Sequence, residues 1–578
     1  MVLACALAVV GIAPGVAAAQ LPTTDDPRVG LSAGLDNAGT AGLGVDLAAH
    51  LNKPPGWFNP NNPGDFAFPN SDMAFEGDYA FVGNFNGFNI YDVSNPGAPV
   101  HKTAVVCPGG QGDVSVYGDL LFMSVEETRA KIDCTLTPAA TAATRFRGVR
   151  IFDISDINSP VQVGGVQTCR GSHTHTLVTD EDDPDNVYIY VSGTSSVRSA
   201  AELAGCSNGN AASENPSQWR IEVIKVPVAN PAAAAVVNEP RLFRDATTGR
   251  IDGLQNAPQT PQHPSGMNWG PVPDTNSCHD ITVYPELDIA AGACEGNGLL
   301  LDISDPANPV RTDAVADPLF AYWHGATFSN DGKTVVFTDE WGGGTAARCR
   351  ATDDLKWGGN ALYDIVDGKL QFRSYYKLPV VQTNQENCVS HIPSLVPVPG
   401  RDIFIQAWYQ GGVSLVDFSD SSNPVEIGYF DRGPVSPTAL VLGGLWSTYW
   451  YNGLTYGSEI ARGFDVYGLE PTDDLSANEI AAAQEVQVGR LNVQHQDPIT
   501  WEPSFNVVRA HMDQAIRAGD LDGKQLDQVN KFVDRAERFA SGHQQSAASA
   551  QLQAISNQLP GEQFDNLRGA LLALSDAV

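Results

Sequence analysis

From about residue 66 to 471 the chain alternates apolar and polar positions in short runs, separated by Gly, Pro, Asn and Asp. A period of two belongs to strands, not helices. Gly87-Phe88-Asn89-Ile90-Tyr91 and Gly412-Val413-Ser414-Leu415-Val416 are two such runs. Each leads into a repeated phrase. Asp92 to Val100 recurs as Asp153 to Val161, Asp302 to Val310 and Asp417 to Val425, always as D-h-S-x-x-x-x-P-V. The Asp and Ser side chains can cap backbone donors in a turn, and the Pro pre-sets the bend. Weaker relatives stand at Ile224-Lys225-Val226-Pro227, Tyr363-Asp364-Ile365 and Phe464-Asp465-Val466.

A second register precedes the first. Segments starting at Ser71, Gly112, His173, His279, His324, His391 and Ser447 each open a short strand pattern. Strand, turn, strand, loop, strand, turn, strand, repeated seven times, closes most simply as an all-β seven-bladed propeller. The chain then divides into a signal peptide (1–19), an N-terminal extension (20–65), the propeller (66–471), a polar linker (472–503) and a small all-α module (504–578). In the last segment Phe505, Val508, Met512 and Ile516, then Leu526, Val529, Phe532, Val533 and Ala536, follow helical spacing. Gly519, Gly542 and Pro560 punctuate about four helices.

The repeat phrases resemble the LVIVD-repeat family of secreted bacterial propellers, over about 400 residues. That resemblance implies the fold and export. The stretch Val508 to Leu559, with Gly519-Asp520-Leu521, resembles the FIMAH-type helical modules of extracellular bacterial proteins, which implies attachment or protein interaction.

Composition narrows the function. A net charge of −33 argues against a nucleic-acid partner. Leu3 to Val16 is an apolar, Ala-rich run, with Ala17-Ala18-Ala19 before Gln20, the arrangement of an export signal. No later segment is apolar enough to span a membrane. A monomer, secreted or at the cell surface, is expected. Without Cys5 of the signal, eight cysteines remain, an even number that suits disulfides. Of 105 connectivities, the topology favours neighbours: Cys107–Cys134, Cys169–Cys206, Cys278–Cys294 and Cys349–Cys388.

The candidate chemistry is a metal site. His173, His279, His324 and His391 share the first position of the register, so a propeller would bring them to one mouth of the channel. Imidazoles suit Fe, Cu or Zn. His175, Asp280 and Glu340 could add ligands or orient them, as could Asp113, Glu126 and Asp339. The long loops at about 128–147, 194–218 and 342–360 fall on the same face. The four histidines belong to consecutive blades, which leaves one side of a metal open. A histidine at a fixed repeat position can equally be structural, hydrogen-bonding the next blade. His50, His101, His263, His495, His511 and His543 lack the register and read as ordinary surface or loop residues. Trp323, Trp341, Trp408 and Tyr409 are candidate contacts for a small molecule or an extracellular polymer or protein, though aromatics also fill propeller cores. No G-x-S-x-G, P-loop or dinucleotide fingerprint is present. The expected function is a metal-dependent oxidative or hydrolytic site, with a binding scaffold as the alternative.

Overall fold

A computed structural model describes residues 25–258 and 270–578. The expected signal and His263 lie outside the described residues. Seven antiparallel sheets form seven propeller blades. Their innermost strands, in blade order, are Asn70–Glu76, Val114–Tyr117, Thr174–Val178, Asp280–Tyr284, Trp323–Phe328, Pro393–Val396 and Leu445–Tyr451. The histidine register lies at or just before these strand starts, as expected.

The repeated phrase works as read. Asp92 Oδ1 accepts from Ser94 N at 3.1 Å and Ser94 Oγ at 2.6 Å. Asp302 does the same for Ser304 at 3.0 and 2.7 Å. Beyond the turn, every blade shows a register shift between its third and fourth strands. A bulge there increases local twist, which suits sheets arranged radially. Adjacent blades bury apolar faces against each other. Phe81, Phe88 and Ile90 of blade 1 meet Val116, Leu121 and Phe152 of blade 2. Met73, Phe75 and Tyr91 meet Tyr449, Tyr451 and Phe464 of blade 7.

The ring closes through the N-terminal extension. Val45–Asn52 pairs with Gly463–Leu469 as the outer strand of blade 7, so that blade is built from both ends of the propeller. His50 is exposed, as expected, and places Nδ1 2.5 Å from Asp465 Oδ1 across this pairing. Thr40–Leu43 adds a fifth strand to blade 6. All four disulfides pair as expected from neighbouring cysteines, with sequence separations of 27, 37, 16 and 39 residues.

The segment expected as a linker is ordered. Helix α1 (Ala477–Gln484) starts from a capping box of Ser476 and Glu479. From Val488 to Trp501 the chain forms a strap that meets all seven blades in cyclic order at the end of the channel away from the histidines. Val488 N donates to Asn452 Oδ1 of blade 7 at 2.7 Å. Leu491 pairs with Phe75 of blade 1. Asn492 accepts from Val116 N at 2.7 Å and donates to Val116 O at 2.8 Å in blade 2. His495, buried rather than on the surface, has Nδ1 2.8 Å from Leu177 O of blade 3. Val283 of blade 4 donates to Gln494 O at 2.8 Å and accepts from Gln496 N at 2.9 Å. The Gln496 amide accepts from Phe328 N at 2.6 Å and donates to Phe328 O at 3.1 Å in blade 5. Trp501 Nε1 reaches Pro397 O of blade 6 at 2.8 Å. Innermost strands expose backbone groups that need partners, and the strap's amides supply them.

Four helices follow: α2 (Phe505–Ala518), α3 (Gly523–Ser541), α4 (Gln545–Ser556) and α5 (Asp565–Ala577). They share a core of Val508, Met512, Val529, Val533, Leu552 and Leu571. The module is tied to the propeller through buried Glu479, which ion-pairs with Arg401 of blade 6 at 3.0 Å and with Arg517 of α2. Among the described residues no helix is long and apolar enough to cross a membrane.

Candidate metal centre

Four consecutive innermost strands bring four imidazoles into a chain of contacts. Ring centroids are 4.5 Å apart for His173 and His279, 4.0 Å for His279 and His324, and 4.4 Å for His324 and His391. His279, His324 and Glu340 each offer a ligand atom, all within 4.8 Å of one another, and all three residues are buried. Glu340 arrives from the loop after Thr334–Asp339, and lies 3.6 Å from His324 Nε2. These residues line a cavity of about 390 Å³ together with His173, Gln111, Tyr322 and Trp446.

Carboxylates surround the imidazoles. Glu126 Oε1 is 2.8 Å from His173 Nδ1, and Asp280 Oδ1 is 3.1 Å from His279 Nδ1. The other Asp280 oxygen lies 3.8 Å from His324 Nδ1. Tyr409 donates its hydroxyl to Glu340 Oε1. Gly344 makes that contact possible. It sits at φ +66°, and a Cβ there would fall 2.3 Å from the Tyr409 hydroxyl and 2.9 Å from Glu340 Oε1.

The charges divide sharply. Burial works against a charged His173, but the Glu126 carboxylate overrides it and the His173 pKa is raised. Burial, then the neighbouring imidazole charges, hold His279 and His324 well below the ordinary value. The same causes take His391 down to about 3. His173 Nε2 and His279 Nε2 lie 2.8 Å apart, so one of them carries the shared proton. Neutral imidazole is the form that binds metals. His324 Nδ1 and both ring nitrogens of His391 are buried without a hydrogen-bond partner. Orphaned buried nitrogens are costly, and a cation among them would use their lone pairs. The donor set thus fits a transition metal. Burial also raises Glu340 and Asp280 to about 7 each, a shift that a nearby cation would reverse.

The other expected site residues divide. His175 is satisfied inside the fold, 2.7 Å from Ser115 Oγ and 2.8 Å from Ser124 Oγ, with burial taking its pKa to about 3. Asp113 faces His175 at 3.3 Å. Asp339 caps a turn, accepting from Ala321 N, Tyr322 N and Gly358 N. Trp323 packs against Phe320 and Phe337, Trp408 against Tyr376, and Trp341 against Trp357 and Arg348. Tyr409 stands edge-on to His391 at 5.3 Å. The aromatic walls of the cavity are Tyr322 and Trp446. Tyr322 directly precedes a core Trp and carried no separate signal. Trp446 stands directly before the register residue Ser447.

Residues 70–106, which lie in the first of the seven blades, match the family described as LVIVD repeat. No curated protein matches the chain. Among solved structures, a protein from Lactobacillus plantarum is 10% identical, with a TM-score of 0.39, covering 68% of this chain and 99% of that one. Hydrazine synthase from Kuenenia stuttgartiensis is 11% identical, with a TM-score of 0.38, covering 71% and 94%. A functionally unknown protein from Desulfotomaculum acetoxidans is 12% identical, with a TM-score of 0.35, covering 65% and 87%.

Proposed function

We propose that this chain is an exported propeller that holds one transition-metal ion at the loop-rich mouth of its channel and acts there on a small molecule. The observation that carries the reading is two buried imidazoles and a carboxylate with ligand atoms within 4.8 Å of one another, lining a cavity. His279, His324 and Glu340 would hold the ion, and His391 is the fourth imidazole beside them. Two imidazoles and a carboxylate suit Fe or Zn and leave coordination positions open; an added imidazole brings in Cu. When bound, such an ion supplies Lewis-acid or redox chemistry to a ligand on the open positions. The protein contributes the rest. Glu126 pairs with His173 at the cavity edge, Asp280 orients His279, and Tyr409 orients Glu340. Four disulfides, three of which brace the long loops, and the apolar N-terminal run support export. The helical module is read as an attachment or interaction element.

Metal analysis of the purified full chain tests this. Near-stoichiometric Fe, Cu or Zn is expected in the wild type, and loss of it in His279→Ala and His324→Ala variants. A wild type without stoichiometric metal overturns the proposal. It would favour the second reading, a binding scaffold, for which His173 speaks: both its ring nitrogens already have protein partners.

A further inference from the structure

The four histidines stand in blades 3 to 6, so the rest of that mouth belongs to blades 7, 1 and 2. Aromatic rings line this arc. Phe66, four residues before the innermost strand of blade 1, is 57% exposed. Its ring centroid lies 6.4 Å from that of Phe85, which sits in the hairpin between Tyr79–Asn84 and Gly87–Asp92 of the same blade. Phe85 meets Trp446 edge-on at 6.1 Å, and Trp446 meets His391 edge-on at 5.7 Å. Trp446 is also a wall of the 390 Å³ cavity, as is Tyr322, edge-on to His279 at 5.8 Å. One exposed ring on a surface is ordinary. A row of rings in contact from solvent to the imidazoles is a path along which a planar molecule keeps favourable edge and face contacts.

The polar part of the wall sets the charge of the guest. Among the described residues, the cavity lining has no lysine or arginine. His173, its basic group, already has Glu126 at 2.8 Å. Glu340, its acidic group, takes the Tyr409 hydroxyl and lies 3.6 Å from His324 Nε2. A carboxylate or an ammonium would enter without a free partner of opposite charge, and a buried unpaired charge is costly. Gln111 of blade 2, 2% exposed, lines the same cavity, and its Oε1 is buried without a hydrogen-bond partner. A ligand hydroxyl can donate to that amide oxygen. We propose that the cavity takes an uncharged hydroxyaromatic molecule, a phenol, which enters over Phe66 and Phe85, packs its ring on Trp446 and donates its hydroxyl to Gln111. The inference names the ligand class of the site proposed above and rests on that reading for the choice of cavity.

The test is an NMR titration of the full chain with phenol, toluene and cyclohexanol, with chelator present. Toluene keeps the ring without the hydroxyl, and cyclohexanol keeps the hydroxyl without the aromatic ring. Phenol is expected to bind about tenfold tighter than either, because each of the others lacks one of its two contacts. Gln111→Leu is expected to weaken phenol by about tenfold and leave toluene unchanged. Trp446→Leu is expected to weaken phenol and toluene alike and leave cyclohexanol unchanged. No binding of phenol, toluene or cyclohexanol binding as tightly as phenol, or an unchanged phenol affinity in either variant would overturn the inference. Should a variant fail to fold, the three ligands on the wild type still decide it. Metal content of the same protein before chelation tests the proposed function separately. Phenol binding by a chain that never held metal leaves the ligand class standing without the ion, and stoichiometric metal with no phenol binding does the reverse.

Discussion

Replacing His391 with leucine separates a metal ligand from a structural histidine, because the two readings predict opposite changes under two conditions. The ring is 1% exposed and stands 4.4 Å from His324, 5.3 Å from Tyr409 and 5.7 Å from Trp446, centroid to centroid. With its pKa near 3, it is neutral at pH 7, with one donor and one acceptor nitrogen, and neither has a partner. An unsatisfied buried polar group costs about 1–3 kcal/mol. Leucine of similar volume removes two such groups. It forfeits edge contacts with the aromatic rings, worth about 0.5–1.5 kcal/mol each. At mid-range, two groups at about 2 kcal/mol each outweigh two ring contacts at about 1 kcal/mol each, so the metal-free His391→Leu protein is expected to be about 2 kcal/mol more stable than the wild type. The metal narrows this difference. An ion present at about 100 times its Kd stabilises the wild type by about 2.7 kcal/mol. A tenfold loss of affinity in the variant removes about 1.4 kcal/mol of that gain. Urea unfolding of both proteins, once with chelator and once with Zn²⁺, measures both arms. A metal-free variant less stable than the wild type would refute the claim that the nitrogens are orphaned. Equal stabilisation by Zn²⁺ would remove His391 from the metal's reach.

Three further outcomes follow from the same structure. The Cys278–Cys294 bond closes a 16-residue separation, so a Cys278→Ser/Cys294→Ser variant should lose about 3 kcal/mol in urea unfolding; no loss would show that the bridge does not constrain the unfolded chain. His50 has its pKa raised, because Asp465 outweighs the burial that would lower it. Its contribution to ring closure is thus fully present below the ordinary histidine value and fades as pH rises through the higher folded value. The stability gap between wild type and His50→Ala should shrink as pH rises from below the ordinary histidine value through the higher folded one, and a gap that widens would contradict the pairing. Gly344→Ala should displace the Tyr409 hydroxyl from Glu340, read as weaker Zn²⁺ binding with little change in the disulfides or secondary structure; unchanged affinity would detach Tyr409 from the site.

Much of this protein was legible because it is written locally. The D-h-S-x-x-x-x-P-V phrase specifies a turn by its own Asp–Ser hydrogen bonds, and alternation specifies the strand before it. Repetition of these signals fixes the number of blades. The cysteines paired as neighbours because each pair brackets a loop of one blade. The histidine register placed four rings at strand starts, and those starts converge on the axis by symmetry.

Tertiary structure decided what depends on distant partners. His175 stands two residues after His173 in blade 3, yet two serines and Asp113 of blade 2 satisfy it. Glu340 became a ligand candidate rather than Asp339, because the first faces His324 and the second caps a turn. The strand at 45–52 and the strap at 488–501 read as an extension and a linker, since an edge strand and a strap take their identity from the unpaired groups of the sheets they meet. The side-chain amides of Asn492 and Gln496 find partners only because seven converged blades leave backbone groups open at the channel mouth. Local hydrogen bonding and periodicity are properties of a sequence, whereas burial, charge and orientation at the histidine cluster are properties of the assembled ring.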